Sequence, residues 1–153
     1  MKDLKLKDKI IVVDFGSQYT QLIIRRIREL GVFAEISTPK DFKKIENFNF
    51  IKGIILSGGP STVTKLNFPS ISVKKYEKKI PILGICYGLQ LLTKLYGGKV
   101  KANKNKREFG KVVIHKKNSS KLLKNFFIKN RQQVWMSHQD AVIKIPKSFK
   151  RIA

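Results

Sequence analysis

Short apolar runs alternate with amphipathic stretches along the first two thirds of the chain. Four of the runs are short and rich in β-branched residues, which is typical of buried strands. They span Lys9–Asp14, Val32–Ser37, Lys52–Ser57 and Pro81–Ile85. Residues 61–70, between the third and fourth runs, predict a loop.

Helical spacing of apolar residues appears between these runs, most clearly over Gln18–Leu30. We expect an inward face and an arginine face on this helix, with Gly31 as its stop. The inward face would carry Leu22, Ile23, Ile27 and Leu30, and the other face Arg25, Arg26 and Arg28. Further helices are predicted over Asp41–Phe48, Ile71–Lys79 and Tyr87–Tyr96, the last with Leu89, Leu92 and Leu95 facing inward.

This alternation predicts an α/β fold with a mostly parallel central sheet and helices on both faces. The pattern changes after Gly98, where strands follow one another with little helix between them. The predicted strands are Lys99–Ala102, Lys111–His115, Gln133–Met136 and Ala141–Ile145, with a basic loop over Lys101–Arg107. We expect a short antiparallel extension of a single domain over 10–153, preceded by a tail at 1–9.

Composition adds a strong positive charge to this picture. The chain has 33 Lys and Arg against 10 Asp and Glu, a net charge of +23, while 42% hydrophobic residues argue against a disordered chain. Such an excess of positive charge suggests nucleic acid or an anionic membrane surface as a partner. The lysines are scattered and accompanied by many Ile, Asn and Phe, however, and AT-rich codon usage explains that mixture more simply.

Cysteine and histidine are scarce. One cysteine excludes an internal disulfide framework and suits a reducing cytosol, and two histidines beside it argue against a structural zinc site. No apolar run is long enough to cross a bilayer, and the first residues lack the apolar core of a secretory signal. We therefore expect a cytoplasmic protein without a membrane partner.

The segment Gly84-Ile-Cys86-Tyr-Gly88 carries the clearest chemistry. It stands between a predicted strand and a predicted helix, as the nucleophile elbow of α/β enzymes does, with Cys in place of Ser. The alternative is a buried structural cysteine beside two packing glycines. The helix start favours a thiolate at Cys86, and the Tyr87 N–H can donate to an oxyanion. The register of strand, turn and helix favours a nucleophile.

Gly58 and Gly59 follow the third strand and place free backbone N–H groups at the same edge of the sheet. Together with Cys86 they indicate acyl transfer through a thioester, with an oxyanion hole shared between two loops. The two histidines differ in context. His115 is interpreted as a surface residue at a strand end. His138 lies in a polar turn typical of a ligand-binding loop. The spacing of His138 from Cys86 gives no reason to assign it as the catalytic base.

Several segments in this order resemble class I (triad) glutamine amidotransferases, in the branch that forms the amino-terminal domain of GMP synthetase. The resemblance covers about residues 10–150. It rests on Asp14-Phe-Gly-Ser-Gln-Tyr-Thr-Gln-Leu22, Ile54-Ile-Leu-Ser-Gly-Gly-Pro60, Gly84-Ile-Cys-Tyr-Gly-Leu-Gln90, Arg107-Glu-Phe-Gly110 and Val134-Trp-Met-Ser-His-Gln-Asp140.

The resemblance implies roles for individual residues. Cys86 would form a glutamyl thioester and release ammonia, with the N–H groups of Gly59 and Tyr87 stabilising the oxyanion. Substrate-binding positions would be Gly58, Gln90, Ser137 and His138. A synthetase domain would aminate xanthosine monophosphate with ATP and magnesium, neither of which this chain itself is expected to bind, and the full enzyme is expected to be a cytoplasmic homodimer.

The sequence departs from the family in two places. Gln139 stands where relatives often carry a small residue, and the family's catalytic Phe-His-Pro-Glu segment has no counterpart, since no His-Pro-Glu occurs in these 153 residues. The resemblance therefore implies an incomplete domain without its His and Glu. We expect such a chain to fold poorly, with an exposed sheet edge, and to hydrolyse little glutamine.

Two other hypotheses remain open at this stage. The chain could be an inactive amidotransferase remnant that binds nucleic acid or another polyanion, although it shows no aromatic RNA-binding signature and nucleic acid is not the favoured partner. It could also be a different cysteine-elbow protein, such as a stress-type hydrolase or chaperone. The Tyr87 and Trp135–Asp140 matches argue against that third hypothesis.

Overall fold

The computed structural model describes residues 8–102, 108–138 and 140–153. Most of the predicted tail, the greater part of the predicted basic loop and Gln139 therefore lie outside the described residues. The chain divides into two compact units, 1–92 and 93–153. The single domain expected over 10–153 stays a prediction.

The first unit is built on a parallel sheet of four strands in the spatial order β2-β1-β3-β4. The strands are β1 (Lys9–Val13), β2 (Ala34–Ser37), β3 (Ile51–Leu56) and β4 (Ile82–Gly84). All three pairings are parallel, with Ile10 opposite Ala34 and Ile54 opposite Ile82 in register. Each strand falls within or close to a predicted run, so the mostly parallel α/β sheet is confirmed.

The connections are α1 (Thr20–Glu29), α2 (Pro39–Lys43), a 3₁₀ turn at Lys74–Tyr76, and α3 (Tyr87–Leu95) after β4. Because β1 lies between β2 and β3, the chain leaves β1 in one direction and returns across it to reach β3. Right-handed crossovers then put α1 on one face and the later connections on the other. The carboxyl ends of β1 and β3 form the switch point where open α/β sheets bind ligands.

Alternating strand residues fill two core layers. Val12 packs with Ile24 of α1 and Ala34 of β2 on one face, each nearly inaccessible to solvent. The neighbours Ile11 and Val13 are also buried, because side chains alternate along a strand and both faces of this sheet are covered. This double burial explains why the strands read as continuous apolar runs.

The inward face predicted for α1 is partly wrong. Leu22 and Leu30 are 45% and 82% exposed, whereas Ile24 is buried and Ile23 and Ile27 pack beside it. At 3.6 residues per turn, Leu22 lies about 160° around the helix from Ile24, so both cannot face the sheet. One predicted solvent-facing arginine, Arg28, reaches back to the Ala34 carbonyl oxygen at 2.7 Å.

The two middle helices are shorter than predicted. Helix α2 is capped by Thr38, whose hydroxyl accepts from the Asp41 N–H at 3.1 Å, and it ends before residue 48. Only Lys74–Tyr76 of the predicted helix 71–79 is helical, as a single 3₁₀ turn, and Ile71 and Val73 before it are buried. Residues 61–70 form no helix or strand, as predicted.

Helix α3 begins at Tyr87 as predicted, but its buried face differs. Tyr87, Leu91 and Leu92 are buried, and Leu89 is 46% exposed. The inward role assigned to Leu89 is therefore wrong. Positions 87 and 91 lie one turn apart and set the direction of the buried stripe, from which Leu89 points away.

The second unit consists of two antiparallel pairs. Strand β5 (Lys99–Ala102) pairs with β8 (Asp140–Lys144), and β6 (Glu108–His115) pairs with β7 (Arg131–His138). These pairings confirm the predicted antiparallel strands, although β6 and β7 are longer than the runs that indicated them. Lys101 and Ala102 belong to β5 rather than to the predicted basic loop.

Candidate functional site

Three loops meet at the carboxyl end of the parallel sheet. They follow β1, β3 and β4 and carry Asp14–Ser17, Ser57–Gly59 and Ile85–Cys86. Parallel strands end at the same edge, so these loops are neighbours by topology. The structure thus brings the predicted residues Cys86, Gly58, Gly59 and Tyr87 together within the first unit.

Cys86 occupies the sharp turn between β4 and α3. Its φ of 51° lies in the left-handed region, which a residue with a Cβ adopts only at a cost. A Cβ on Gly84 would stand 2.6 Å from the Gly88 carbonyl carbon, and a Cβ on Gly88 would stand 2.2 Å from the Leu56 carbonyl oxygen. Both flanking glycines are therefore sterically required, as predicted for a nucleophile elbow.

Backbone hydrogen bonds attach this turn to the neighbouring strand. The Ile85 N–H donates to the Leu56 carbonyl at 2.9 Å, and the Gly88 N–H donates to the Ser57 carbonyl at 3.1 Å. The Gln90 N–H closes the first helical turn on the Cys86 carbonyl at 3.1 Å. The strained residue is thus held from both sides, which is the condition for such strain to persist.

The loop after β3 packs directly against the backbone of the loop after β1. A Cβ on Gly59 would lie 2.3 Å from the Phe15 carbonyl oxygen, so no other residue fits there. A Cβ on Gly58 would lie 3.5 Å from the Cys86 Cβ. The backbone of the glycine pair therefore runs alongside the cysteine, where an oxyanion donor is needed.

Two backbone N–H groups are available at this edge. Within the described part of the chain, neither the Gly59 N–H nor the Tyr87 N–H has a hydrogen-bond acceptor. The Tyr87 N–H belongs to the first turn of α3, where the helix leaves its donors unpaired and its dipole positive. These groups can donate hydrogen bonds to an oxygen beside Cys86 and stabilise the negative charge that develops on it.

The Tyr87 side chain has a separate, structural task. It is fully buried, its hydroxyl donates to the Pro69 carbonyl, and its ring packs against Phe15 with 5.1 Å between centroids. Burial raises the pKa of Tyr87 to about 12. The tyrosine thus fastens the start of α3 to the loop over residues 61–70.

Asp14 organises the loop after β1, a role that the sequence analysis missed. Its Oδ1 accepts from the Gly16 N–H at 2.9 Å, from the Ser17 N–H at 3.3 Å and from the Thr20 hydroxyl at 2.7 Å. The Ser57 hydroxyl accepts from the Phe15 N–H at 3.0 Å. The signal was an Asp two residues before Gly-Ser, a composition typical of side-chain-closed turns.

The remaining predicted site residues differ in their surroundings. Gln90 lies on α3 and is 7% exposed. Ser137 and His138 belong to the second unit, where they are the last two residues of β7, opposite Phe109 and Glu108. The polar turn predicted for them is therefore wrong: strand pairing continues to position 138. His115 is exposed at the end of β6, as expected for a surface residue.

Neither a metal cluster nor a membrane-spanning helix occurs in the part of the chain that the structure describes. Among residues 8–102, 108–138 and 140–153, no group of three or more His, Cys, Asp or Glu side chains could hold a metal ion. Over the same ranges, no helix is long and apolar enough to cross a membrane.

Comparison with known proteins identifies the family of the chain. The model of the class I glutamine amidotransferase family matches residues 11–153. GMP synthase [glutamine-hydrolyzing] of Staphylococcus carnosus is 49% identical over all of this chain, as is that of Staphylococcus aureus. The chain spans 29% of the length of each of these relatives.

Solved structures give the same result. A Thermoplasma acidophilum protein, described as one subunit of GMP synthase, is 33% identical and superposes with a TM-score of 0.78 over 93% of this chain and 70% of its own. A glutamine amidotransferase of Thermotoga maritima, 24% identical, shares the fold with a TM-score of 0.71 over 94% of this chain and 65% of its own. The chain belongs to the class I glutamine amidotransferase family.

Proposed function

We propose that this chain is the glutaminase part of a GMP synthase and that Cys86 is its nucleophile. The observation that carries the proposal is the position of Cys86, held at positive φ between two glycines that no larger residue can replace. The 49% identity with two GMP synthases supports this branch of the family over others.

The reaction begins when the Cys86 sulfur attacks the side-chain carbonyl carbon of glutamine. The carbonyl oxygen takes the negative charge and accepts hydrogen bonds from the Gly59 and Tyr87 N–H groups. The C–N bond then breaks, and the nitrogen leaves as ammonia with the proton that the thiol gave up. Water attacks the resulting γ-glutamyl thioester, which returns the thiol and gives glutamate.

The proton transfers need a base. The resemblance assigns this task to a His–Glu pair in a segment that these 153 residues do not contain. Gln90, which lies on α3 in the same unit as Cys86, is proposed to help hold the glutamine. Cys86, Gly58, Gly59 and Tyr87 are the parts of the machinery that this chain contributes to the reacting end.

The ammonia has a use in the proposed whole enzyme. A synthetase domain or partner chain would activate xanthosine monophosphate with ATP and magnesium and aminate it to GMP, in a cytoplasmic, homodimeric enzyme. The relatives are more than three times as long as this chain, which leaves room for such a domain.

Covalent trapping tests the proposal. The chain is incubated with a diazoketone analogue of glutamine, and adducts are located by peptide mass spectrometry. We expect one adduct on Cys86, slowed by free glutamine and absent from Cys86→Ser. Labelling of Cys86 that glutamine does not slow would overturn the proposal.

A second candidate function, polyanion binding, is favoured by the distribution of charge. Residues 93–153 carry 17 Lys and Arg against 2 Asp and Glu, a net charge of +15 in the second unit. Specific binding of RNA or DNA predicts an affinity that falls steeply with salt and differs between polymers. Equal, weak binding to RNA, DNA and heparin would support codon usage as the origin of the charge.

A further inference from the structure

The loop after β1 forms one wall of the proposed active site, and Ser17 is a polar residue on that wall. A Cβ on Gly58 would lie 3.5 Å from the Ser17 Oγ and, equally, 3.5 Å from the Cys86 Cβ. The two side chains therefore flank the same small space, which exists because residue 58 has no side chain. The Ser17 Oγ and the Cys86 Cβ are no farther apart than twice that distance.

Ser17 is fixed in this position by hydrogen bonds to its backbone and side chain. Its N–H donates to Asp14, and its hydroxyl accepts from the Tyr19 N–H at 3.1 Å. The Asp14 carboxylate also holds the loop through Gly16 and Thr20. A side chain anchored in this way loses little entropy when it binds a ligand.

The Ser17 hydroxyl keeps unused hydrogen-bonding capacity. A serine hydroxyl offers one donor and two acceptor positions, and the Tyr19 N–H occupies one acceptor. Within the described residues, no other group bonds to this oxygen. One proton and one lone pair are left, a set that complements a primary carboxamide.

We propose that Ser17 binds the γ-carboxamide of glutamine, accepting a hydrogen bond from its NH₂ group while the Gly59 and Tyr87 N–H groups hold its oxygen. The inference rests on the proposed function and assigns a specificity residue that lies outside the cysteine elbow. The Gly58 space is where the carboxamide nitrogen enters. Since ammonia retains N–H donors, the same contact persists when the nitrogen leaves.

Two variants of Ser17 separate binding from folding. Ser17→Ala removes the hydroxyl, whereas Ser17→Thr keeps it and its bond to Tyr19. The readout is the glutamine concentration that halves Cys86 labelling by the diazoketone. We expect the alanine variant to need about tenfold more glutamine, the loss of one hydrogen bond, and the threonine variant to stay within about threefold of wild type.

Labelling by iodoacetamide, which does not mimic glutamine, is the control for an intact elbow, and we expect equal rates in all three proteins. Gly58→Ala provides an independent check. Its Cβ makes only ordinary contacts at 3.5 Å and its φ is not in the positive region, so the fold is retained while the space is filled. We expect glutamine to lose its protective effect in this variant.

The outcomes distinguish the two proposals. If glutamine protects wild type and Ser17→Ala equally, the role of Ser17 is overturned and the proposed function stands. If Ser17→Ala also changes the iodoacetamide rate, the serine acts through the loop and its substrate role is again overturned. If wild type itself is not protected, the proposed function fails and the Ser17 role fails with it.

Discussion

Gly88 lies so close to Leu56 that a Cβ on the glycine would stand 2.2 Å from the Leu56 carbonyl oxygen. The contact joins the start of the helix after the cysteine to the end of the neighbouring strand, and the Gly88 N–H bonds to the next carbonyl, that of Ser57. The position of Cys86 thus depends on close packing between the backbone of two sheet strands and that of a helix.

Replacement of Gly88 by alanine should therefore destabilise the first unit. We expect Gly88→Ala to lower the free energy of unfolding by about 3 kcal/mol or more, because the methyl group meets backbone atoms that cannot move without distorting β3. Urea denaturation followed by circular dichroism measures the change. Gly53→Ala is the matched control: its Cβ would meet Ile10 at an ordinary 3.5 Å, and a loss as large as that of Gly88→Ala would contradict this explanation.

The backbone conformation of Cys86 should lower the stability of the protein, because it suits the reactive turn and not a residue with a Cβ. Its φ of 51° disfavours any residue with a Cβ. We expect Cys86→Gly to be more stable than Cys86→Ala by roughly 1 kcal/mol, since glycine adopts this conformation freely. Parallel urea titrations of the two variants provide the test, and an alanine variant at least as stable as the glycine variant would show that the turn is unstrained.

We expect Tyr87 to make the folded state less stable at high pH. Burial raises its pKa to about 12, above the value of about 10 in the unfolded chain. The folded state then holds its proton more tightly, so this contribution to stability is complete below pH 10 and is lost as the pH rises towards 12. Urea midpoints measured between pH 8 and 12 should fall more steeply for wild type than for Tyr87→Phe. Parallel pH profiles would exclude Tyr87 as the cause.

Asp14 should matter for the site through the loop it closes. We expect Asp14→Ala to cost about 1–3 kcal/mol, because one oxygen accepts from two backbone N–H groups and the Thr20 hydroxyl. Asp14→Asn keeps an acceptor oxygen and should be milder. Glutamine protection of Cys86 should weaken in the same order as stability. Full protection in Asp14→Ala would show that the loop is dispensable for the site.

The sequence predicted the sheet and the elbow well for a physical reason. Strands buried on both faces leave continuous apolar runs such as Ile10–Val13, and a strained turn needs glycines whose spacing is visible in Gly84 and Gly88. It predicted helix faces less well. Leu22 and Leu89 look inward by composition, but the buried stripe was set by Ile24 and Leu91, which contact the sheet.

Other relationships were missed because their sequence signal is weak or lacking. The approach of Gly59 to the Phe15 carbonyl joins segments that are far apart in the chain, and the carboxylate of Asp14 looked like the polar end of a strand. Ser137 and His138 were placed in a turn because polar residues cluster there, yet cross-strand pairing with β6 keeps them in a strand. Contacts between distant segments decided the cases of Gly59, Ser137 and His138, whereas Asp14 closes a local turn.

Nuclear magnetic resonance provides the most direct test of glutamine binding beside Cys86. ¹⁵N-labelled chain is titrated with L-glutamine, and the backbone amides of Gly59 and Tyr87 are followed, with Gly31 at the end of α1 as the control amide. We predict saturable shifts of the two site amides, no shift at Gly31, and a weaker response to L-glutamate. Unchanged Gly59 and Tyr87 amides at saturating glutamine would contradict the assignment of this site.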